Sequence, residues 1–132
     1  EFLGEKSTEA LLELYQTCTL FAFPSTVETF GNPLVEAMSC GAPIVSSNTA
    51  AMPEILGDAA RFFDPLDVEG MADAISDLLG NARERQALSE RSLAHSKKYS
   101  WRQTATKTAD VIKSIAPARI QQDQMTKMAP NP

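Results

Sequence analysis

The chain has only two cysteines, one histidine and one tryptophan among its 132 residues. Cys18 and Cys40 are too few for a disulfide framework, and neither has a Cys or His partner at metal-ligand spacing, His95 being the only histidine. Reduced, packed thiols, no metal and no cofactor, and a cytoplasmic setting are expected. Long apolar runs are missing too. None approaches the roughly 20 residues that cross a bilayer, and no charged-then-apolar leader follows Glu1. No signal peptide is expected, and Glu1 is expected to be internal to a longer protein.

Positive charge is scarce in the first part of the chain. Residues 1–80 carry 13 Asp and Glu against only Lys6 and Arg61, a balance of −11. Residues 81–119 reverse this, with 9 Lys and Arg against 3 acids, inside a net charge of −5. Such a split can mark a nucleic-acid or lipid surface. Here Glu84, Glu90 and Asp110 are interspersed and no aromatic residues interleave to stack on bases, so a solvated helix face is expected and no nucleic acid. Peripheral contact of this basic segment with anionic lipid stays open, although its helices lack an aromatic-rich apolar face.

What is present is ordinary globular composition, 43% hydrophobic and 22% charged, enough for one compact domain and too little for two. There is no internal repeat. Glu1–Gly4 reads as the end of a strand, and Ser7 starts a helix with Ala10, Leu11, Leu14 and Tyr15 at helical spacing. Thr19–Phe23, Pro43–Ser47 and Arg61–Phe63 are short apolar runs that suit buried strands. Between them lie a helix entered at Pro33, with Asn32 as its cap and Gly41 as its stop, and a short helical turn at Pro53–Leu56. Asp67 caps an amphipathic helix running to Gly80, and Asn81 with Glu84 forms a cap pair for a polar helix. Ser100 opens a last helix with Trp101, Ala105, Ala109, Ile112 and Ala116 on one face. The fold class is α/β, a partial Rossmann-like parallel sheet with helices on both faces. The domain is expected over 1–116, incomplete at its N-terminus, with a flexible tail over 117–132.

One segment carries chemistry: Glu28-Thr29-Phe30-Gly31-Asn32-Pro33-Leu34-Val35-Glu36-Ala37-Met38. It lies where a strand's carboxyl end passes into a helix, the place where open α/β sheets bind ligands. Free N–H groups of Gly31, Asn32 and Leu34, with the helix dipole behind them, suit a phosphate. Carboxylates flanking a phosphate make electrostatic sense where they accept hydrogen bonds from hydroxyls, as from a sugar. The pattern leaves a plainer reading open, because Glu36 falls opposite Leu34, Ala37 and Met38 and could be a solvent-facing glutamate. His95, on the polar helix, is expected at the surface, and Ser25 and Ser47 have no base partner that would make them nucleophiles.

Pro24-Ser25, Glu28-Thr29-Phe30-Gly31, Glu36-Ala37-Met38, Gly41-Ala42-Pro43-Ile44-Val45, Pro53-Glu54-Ile55, Asp58-Ala59-Ala60 and Asp64-Pro65 together resemble the retaining, nucleotide-sugar-dependent glycosyltransferases of group 1 (family 4), which have the GT-B fold. The similarity continues through Ser100-Trp101, and Glu28 and Glu36 match that family's two glutamates separated by seven residues. The resemblance implies the later part of the C-terminal, donor-binding domain. It implies that Glu28 contacts donor-sugar hydroxyls as the catalytic glutamate, beside Thr29, and that Glu36 binds the ribose hydroxyls. It further implies that main-chain N–H groups of Phe30, Gly31 and Asn32 hold the diphosphate, that Leu34 and Val35 lie near the nucleoside, and that Gly4 sits close to the base. The partners implied are a nucleotide-sugar donor and, through a missing N-terminal domain, a saccharide or lipid-linked acceptor. The family's Arg and Lys diphosphate clamp has no match in Lys6 or Arg61, so the isolated fragment is expected to be inactive. Missing neighbour strands imply an exposed sheet edge at Thr19–Phe23 and self-association through it. A non-catalytic remnant or partner-binding module, and a sugar-nucleotide epimerase of the same fold, remain alternatives; the glutamate spacing argues against the epimerase.

Overall fold

The computed structural model describes residues 1–115 and divides them between two units, 1–98 and the part of 99–132 that is described. The expected tail over 117–132 lies outside the described residues. In the first unit the elements run α1 (Thr8–Thr17), β1 (Phe21–Phe23), α2 (Asn32–Ser39), β2 (Ile44–Ser47), α3 (Met52–Leu56), β3 (Ala60–Phe63), α4 (Val68–Gly80) and α5 (Ala82–Ser96). The three strands form one parallel sheet in the order β1-β2-β3, with Ala22 beside Val45 and Val45 beside Arg61. The α/β reading therefore stands, and parallel pairing explains it: each return to the same end of the sheet needs a crossover, supplied here by α2 and α3.

β2 is the centre, buried at all four positions. On one face Val45 and Phe63 pack with Ala74, Leu78 and Leu88 of α4 and α5. Alternation sends Ile44 to the other face, the side of α2 and α3, where Leu34, Ala37, Met38, Met52 and Leu56 are fully buried. α5 starts beside α4, and its second half reaches the amino ends of the strands. There Ser92 donates to the Ala59 carbonyl at 3.2 Å, and Leu93 lies against Gly41.

The caps follow their chemistry. Ser7 accepts from the Ala10 N–H and Asp67 from the Gly70 N–H, while the Asn81 and Glu84 side chains bond each other and Asn81 accepts the Glu84 N–H. α2 departs from expectation. Asn32 is its first helical residue, and the cap is Gly31, at φ 78°, a left-handed position that glycine adopts without strain. At its other end the Gly41 N–H reaches the Met38 carbonyl and the Ala42 N–H the Ala37 carbonyl, both at 3.0 Å, which is the Schellman pattern.

Two further expectations are corrected, and one helix face lies more open than its apolar spacing suggests. Glu1–Gly4 is not a strand, because a strand exists only through pairing and no described strand lies beside it. The apolar stripe of α1 is not core: no α1 residue is buried, and Leu11 and Leu14 stay 37% and 40% exposed. His95 is not a surface residue. Its side chain is only 11% exposed, 3.8 Å from Asp58, in space that Gly57 leaves by lacking a Cβ.

The second unit is described by α6 (Trp101–Ile115) alone, whose first turn closes with the Thr104 N–H on the Ser100 carbonyl at 2.9 Å. No helix among the described residues is long and apolar enough to cross a membrane.

Gly41 stands at φ 73°, and a Cβ there would come within 3.1 Å of Leu93 Cγ. Gly41→Ala is expected to destabilise the fold by about 1–2 kcal/mol, combining a left-handed non-glycine residue with crowding at α5. In urea unfolding the midpoint should fall with the slope unchanged.

Candidate functional site

The loop from Pro24 to Gly31 leaves the carboxyl end of β1 and is tied to the next strand by hydroxyl groups. Ser46 donates to the Phe23 carbonyl at 3.3 Å, Ser47 to the Ser25 carbonyl, and Thr49 to the Thr26 carbonyl at 3.3 Å. Ser46 and Ser47 are wholly buried, so each hydroxyl must find an acceptor, and the loop backbone supplies it. Beyond β2 the chain turns at Ala50, the single non-glycine residue with positive φ among the described residues, at 49°.

The loop presents Glu28, half-buried, whose Oε1 lies 3.3 Å from the Ser25 hydroxyl; the same hydroxyl lies 3.0 Å from the Val27 carbonyl. Ser25 thus does meet a carboxylate, contrary to expectation. One proton shared between two acceptors holds the glutamate and leaves the serine no freer to attack. Thr29 and Phe30 are exposed, and Gly31 is buried. A Cβ on Gly31 would stand 3.0 Å from Leu34 Cδ1, so the tight entry to α2 needs glycine on steric grounds as well.

The helix start is narrower than the spacing suggests. Pro33 has no N–H, and the Leu34 N–H already donates to the Gly31 carbonyl at 2.9 Å. Leu34 is therefore not a free donor, and its wholly buried side chain belongs to the core. The N–H groups of Gly31 and Asn32 have no acceptor among the described residues. Val35 is half-buried on the next turn. Gly4 lies in the unpaired segment before α1, at φ 64° with open space around it.

Glu36 does face outward, opposite the buried Leu34, Ala37 and Met38, yet it is not a lone surface carboxylate. Its Oε2 accepts from the Tyr15 hydroxyl of α1 at 3.3 Å. The Tyr15 ring meets Phe21 of β1 edge-on, 5.3 Å between centroids, and Phe21 leans on Phe23 at 6.0 Å. Burial, then the Glu36 charge, pushes the Tyr15 phenol up to about 12. Burial likewise raises the Cys18 and Cys40 thiols, with the Glu36 charge adding to the effect at Cys40, so both are protonated near neutrality. Tyr15 was legible in sequence only as part of an apolar stripe; its partner lies 21 residues away.

Arg61, one of the two cations in residues 1–80, is occupied elsewhere. Arg61 reaches Glu84 at 3.2 Å and Asp77 at 3.8 Å, and Arg85 donates to the Leu78 and Leu79 carbonyls at the end of α4. What remains at the carboxyl end of β1 is two carboxylates, each with a hydroxyl partner, on either side of a helix start with two unpaired N–H groups.

Residues 1–95 match the family described as glycosyl transferases group 1. The chain belongs to that family. O-antigen chain mannosyltransferase B of Escherichia coli is 39% identical over 114 residues, covering 86% of this chain and 30% of that protein. A D-inositol 3-phosphate glycosyltransferase of Mycolicibacterium smegmatis is 37% identical over 105 residues, covering 78% of this chain and 24% of that protein. The chain thus spans less than a third of these curated group 1 relatives. Among solved structures, sucrose-phosphate synthase from Thermosynechococcus elongatus superposes with a TM-score of 0.82 at 22% identity, over 89% of this chain and 30% of that one. Anabaena HepE in complex with UDP superposes at 0.70 and 24% identity, over 77% of this chain and 29% of that one. These likenesses establish the GT-B type of fold for this segment of a group 1 chain.

The Tyr15 phenol should titrate near 12 rather than 10 in an ultraviolet difference titration. In Glu36→Gln the value should fall but stay above 10, because burial is the larger cause. The raised value favours the neutral folded form. Its stabilisation is complete below pH 10 and is lost as pH rises from 10 towards 12, where only the unfolded chain releases the proton.

Proposed function

We propose that this chain is the donor-binding part of a retaining glycosyltransferase, which moves a sugar from a nucleotide sugar to a saccharide or lipid-linked acceptor. The observation that carries the reading is the pair Glu28 and Glu36 on either side of the Gly31 helix start, at the carboxyl end of β1, in a chain of the group 1 family. Glu28 contacts hydroxyls of the transferred sugar, beside Thr29. Glu36 accepts from the ribose hydroxyls, with Val35 near the nucleoside. The N–H groups of Gly31 and Asn32, with Phe30 beside them, face the diphosphate. Gly4 approaches the base. Leu34 contributes through packing, since its N–H and side chain are both used within the fold.

The chemistry follows from charge. Positive charge grows at the anomeric carbon as the diphosphate departs, and a carboxylate on the sugar face with amide dipoles at the leaving group stabilises both. The new bond forms on the face the nucleotide leaves, which retains configuration. A helix terminus contributes only about 0.3–2 kcal/mol to an anion. With Arg61 held by Glu84 and Asp77, only Lys6 remains in residues 1–80, so the diphosphate needs further cations from elsewhere, and without them the chain alone binds donor weakly and is inactive. The mannosyltransferase relatives favour a role in polysaccharide or glycolipid assembly, in the cytoplasm or at the membrane periphery. Family membership favours transfer over epimerisation. A non-catalytic module would keep the fold without needing both glutamates.

In the full-length protein, Glu28→Ala is expected to lower turnover by about 100- to 1,000-fold, as for loss of a transition-state contact. Glu36→Ala is expected to weaken donor binding by about 10-fold. Wild-type turnover in both variants would remove the assigned roles.

Self-association belongs to the same proposal. β1 is an edge strand with half-buried Phe21 and Phe23, next to the half-exposed leucines of α1. In analytical ultracentrifugation the mass of the 132-residue chain should rise with concentration; a single monomer boundary at high concentration counts against it.

A further inference from the structure

A glutamate on an exposed helix face has three side-chain torsions to order before it can hold a diol. Glu36 is such a residue, and among the described residues one side-chain hydrogen bond restrains it, from the Tyr15 hydroxyl to Oε2. Ordering a glutamate costs about 1–2 kcal/mol of rotamer freedom, so whatever holds it beforehand is felt as affinity. We propose that Tyr15 is a positioning residue: its hydroxyl, fixed by the Tyr15–Phe21 ring contact, holds Oε2 of Glu36 so that the remaining acceptor sites of the carboxylate are aimed at a vicinal diol of the donor nucleotide. The proposal rests on the reading that Glu36 binds the ribose hydroxyls.

The geometry supports each link. Tyr15 is on α1 and Glu36 on α2, and the ring that carries the hydroxyl is seated edge-on against β1 at 5.3 Å. The hydroxyl is thus placed by two elements other than the one that carries the carboxylate. An ionised carboxylate has about four acceptor sites. Tyr15 takes one on Oε2 and leaves Oε1 open for two neighbouring hydroxyl donors. The phenol is also held in its protonated, donating form: burial and the Glu36 charge keep its titration near 12, far above any working pH. A lysine or arginine in this place would neutralise Glu36. A neutral donor orients it and leaves its charge for the ligand.

The test compares nucleotides with and without the diol. Binding of GDP and UDP, each beside its 2′,3′-dideoxy analogue, is measured by calorimetry on the full-length protein as wild type, Tyr15→Phe and Glu36→Gln. Tyr15→Phe keeps the ring against Phe21 and removes only the hydroxyl. It should cut the preference for the ribonucleotide by about 5- to 10-fold while leaving the dideoxy affinity and the melting temperature near wild type. Glu36→Gln should reduce the preference further, and the double variant should fall no lower than Glu36→Gln alone. If Glu36→Gln abolishes the preference while Tyr15→Phe retains it in full, the positioning role is overturned and the ribose role of Glu36 stands. If Glu36→Gln leaves the preference unchanged, the ribose role itself fails, and the inference with it. Equal loss of ribonucleotide and dideoxy affinity in Tyr15→Phe would mark a purely structural tyrosine and also overturn the proposal.

Discussion

The burial of two serines in the central strand is the constraint on which the site depends. β2 lies between β1 and β3 and is covered on both faces, so Ile44, Val45, Ser46 and Ser47 are all removed from water. An apolar strand would satisfy the packing equally well. A buried hydroxyl without a partner costs about 1–3 kcal/mol, and no described buried side-chain polar atom is left unsatisfied. The acceptors that meet this demand are the Phe23 and Ser25 carbonyls, at the point where β1 gives way to the loop. Burying polar groups therefore fixes a loop that packing alone would leave adjustable.

From that anchor the arrangement extends outward. Ser47 holds the Ser25 backbone, and the Ser25 side chain lies beside Glu28. Gly31 then turns the chain into α2, where Leu34, Ala37 and Met38 seat the helix and leave Glu36 on the outer face. On the far side of α2, Tyr15 meets that outer face. Each glutamate ends with one neutral hydroxyl partner and neither with a described cation, which restrains the carboxylates without discharging them. α5, by contrast, works at the amino ends of the strands, where Ser92, Leu93 and His95 close the base of the fold. Stability and the candidate site thus occupy opposite ends of the sheet, as the strand direction requires.

Much of this was legible in the residues because the signals are local. Asp67 three residues before Gly70, and Asn81 with Glu84, are contacts within one turn, and both caps formed as read. The glutamate pair and its place at a strand end followed from the same kind of signal. The misreadings share a different cause. Asn32 looked like the better cap, but the backbone reaches the helix through a left-handed residue, and a nearby Leu34 side chain leaves no room for a Cβ there. Leu34 looked like a free donor until the turn closed on the Gly31 carbonyl. Glu1–Gly4 resembled a strand because composition reports propensity, whereas a strand needs a partner. His95 was misjudged, and the hydroxyl contact of Tyr15 missed, because their partners lie far away in sequence: the space that Gly57 leaves in one case, and Glu36 in the other.

The charge balance gains its meaning from the same geometry. Residues 1–80 hold 13 acids and two cations, a balance that opposes an anion, and one helix terminus contributes too little to reverse it. Arg61 does not relieve the repulsion, because Glu84 and Asp77 already share it. Within the first unit Arg85 does not relieve it either, since it caps α4 while α5 approaches the amino ends of the strands. Two carboxylates beside an anion site are stable only where hydroxyl-rich groups separate them from the phosphates. A nucleotide sugar has that distribution, with its diphosphate between two polyols. On the proposed reading, the two glutamates would favour the hydroxyl-bearing ends of such a ligand and leave its charged centre to the amide groups at Gly31 and Asn32 and to cations from elsewhere.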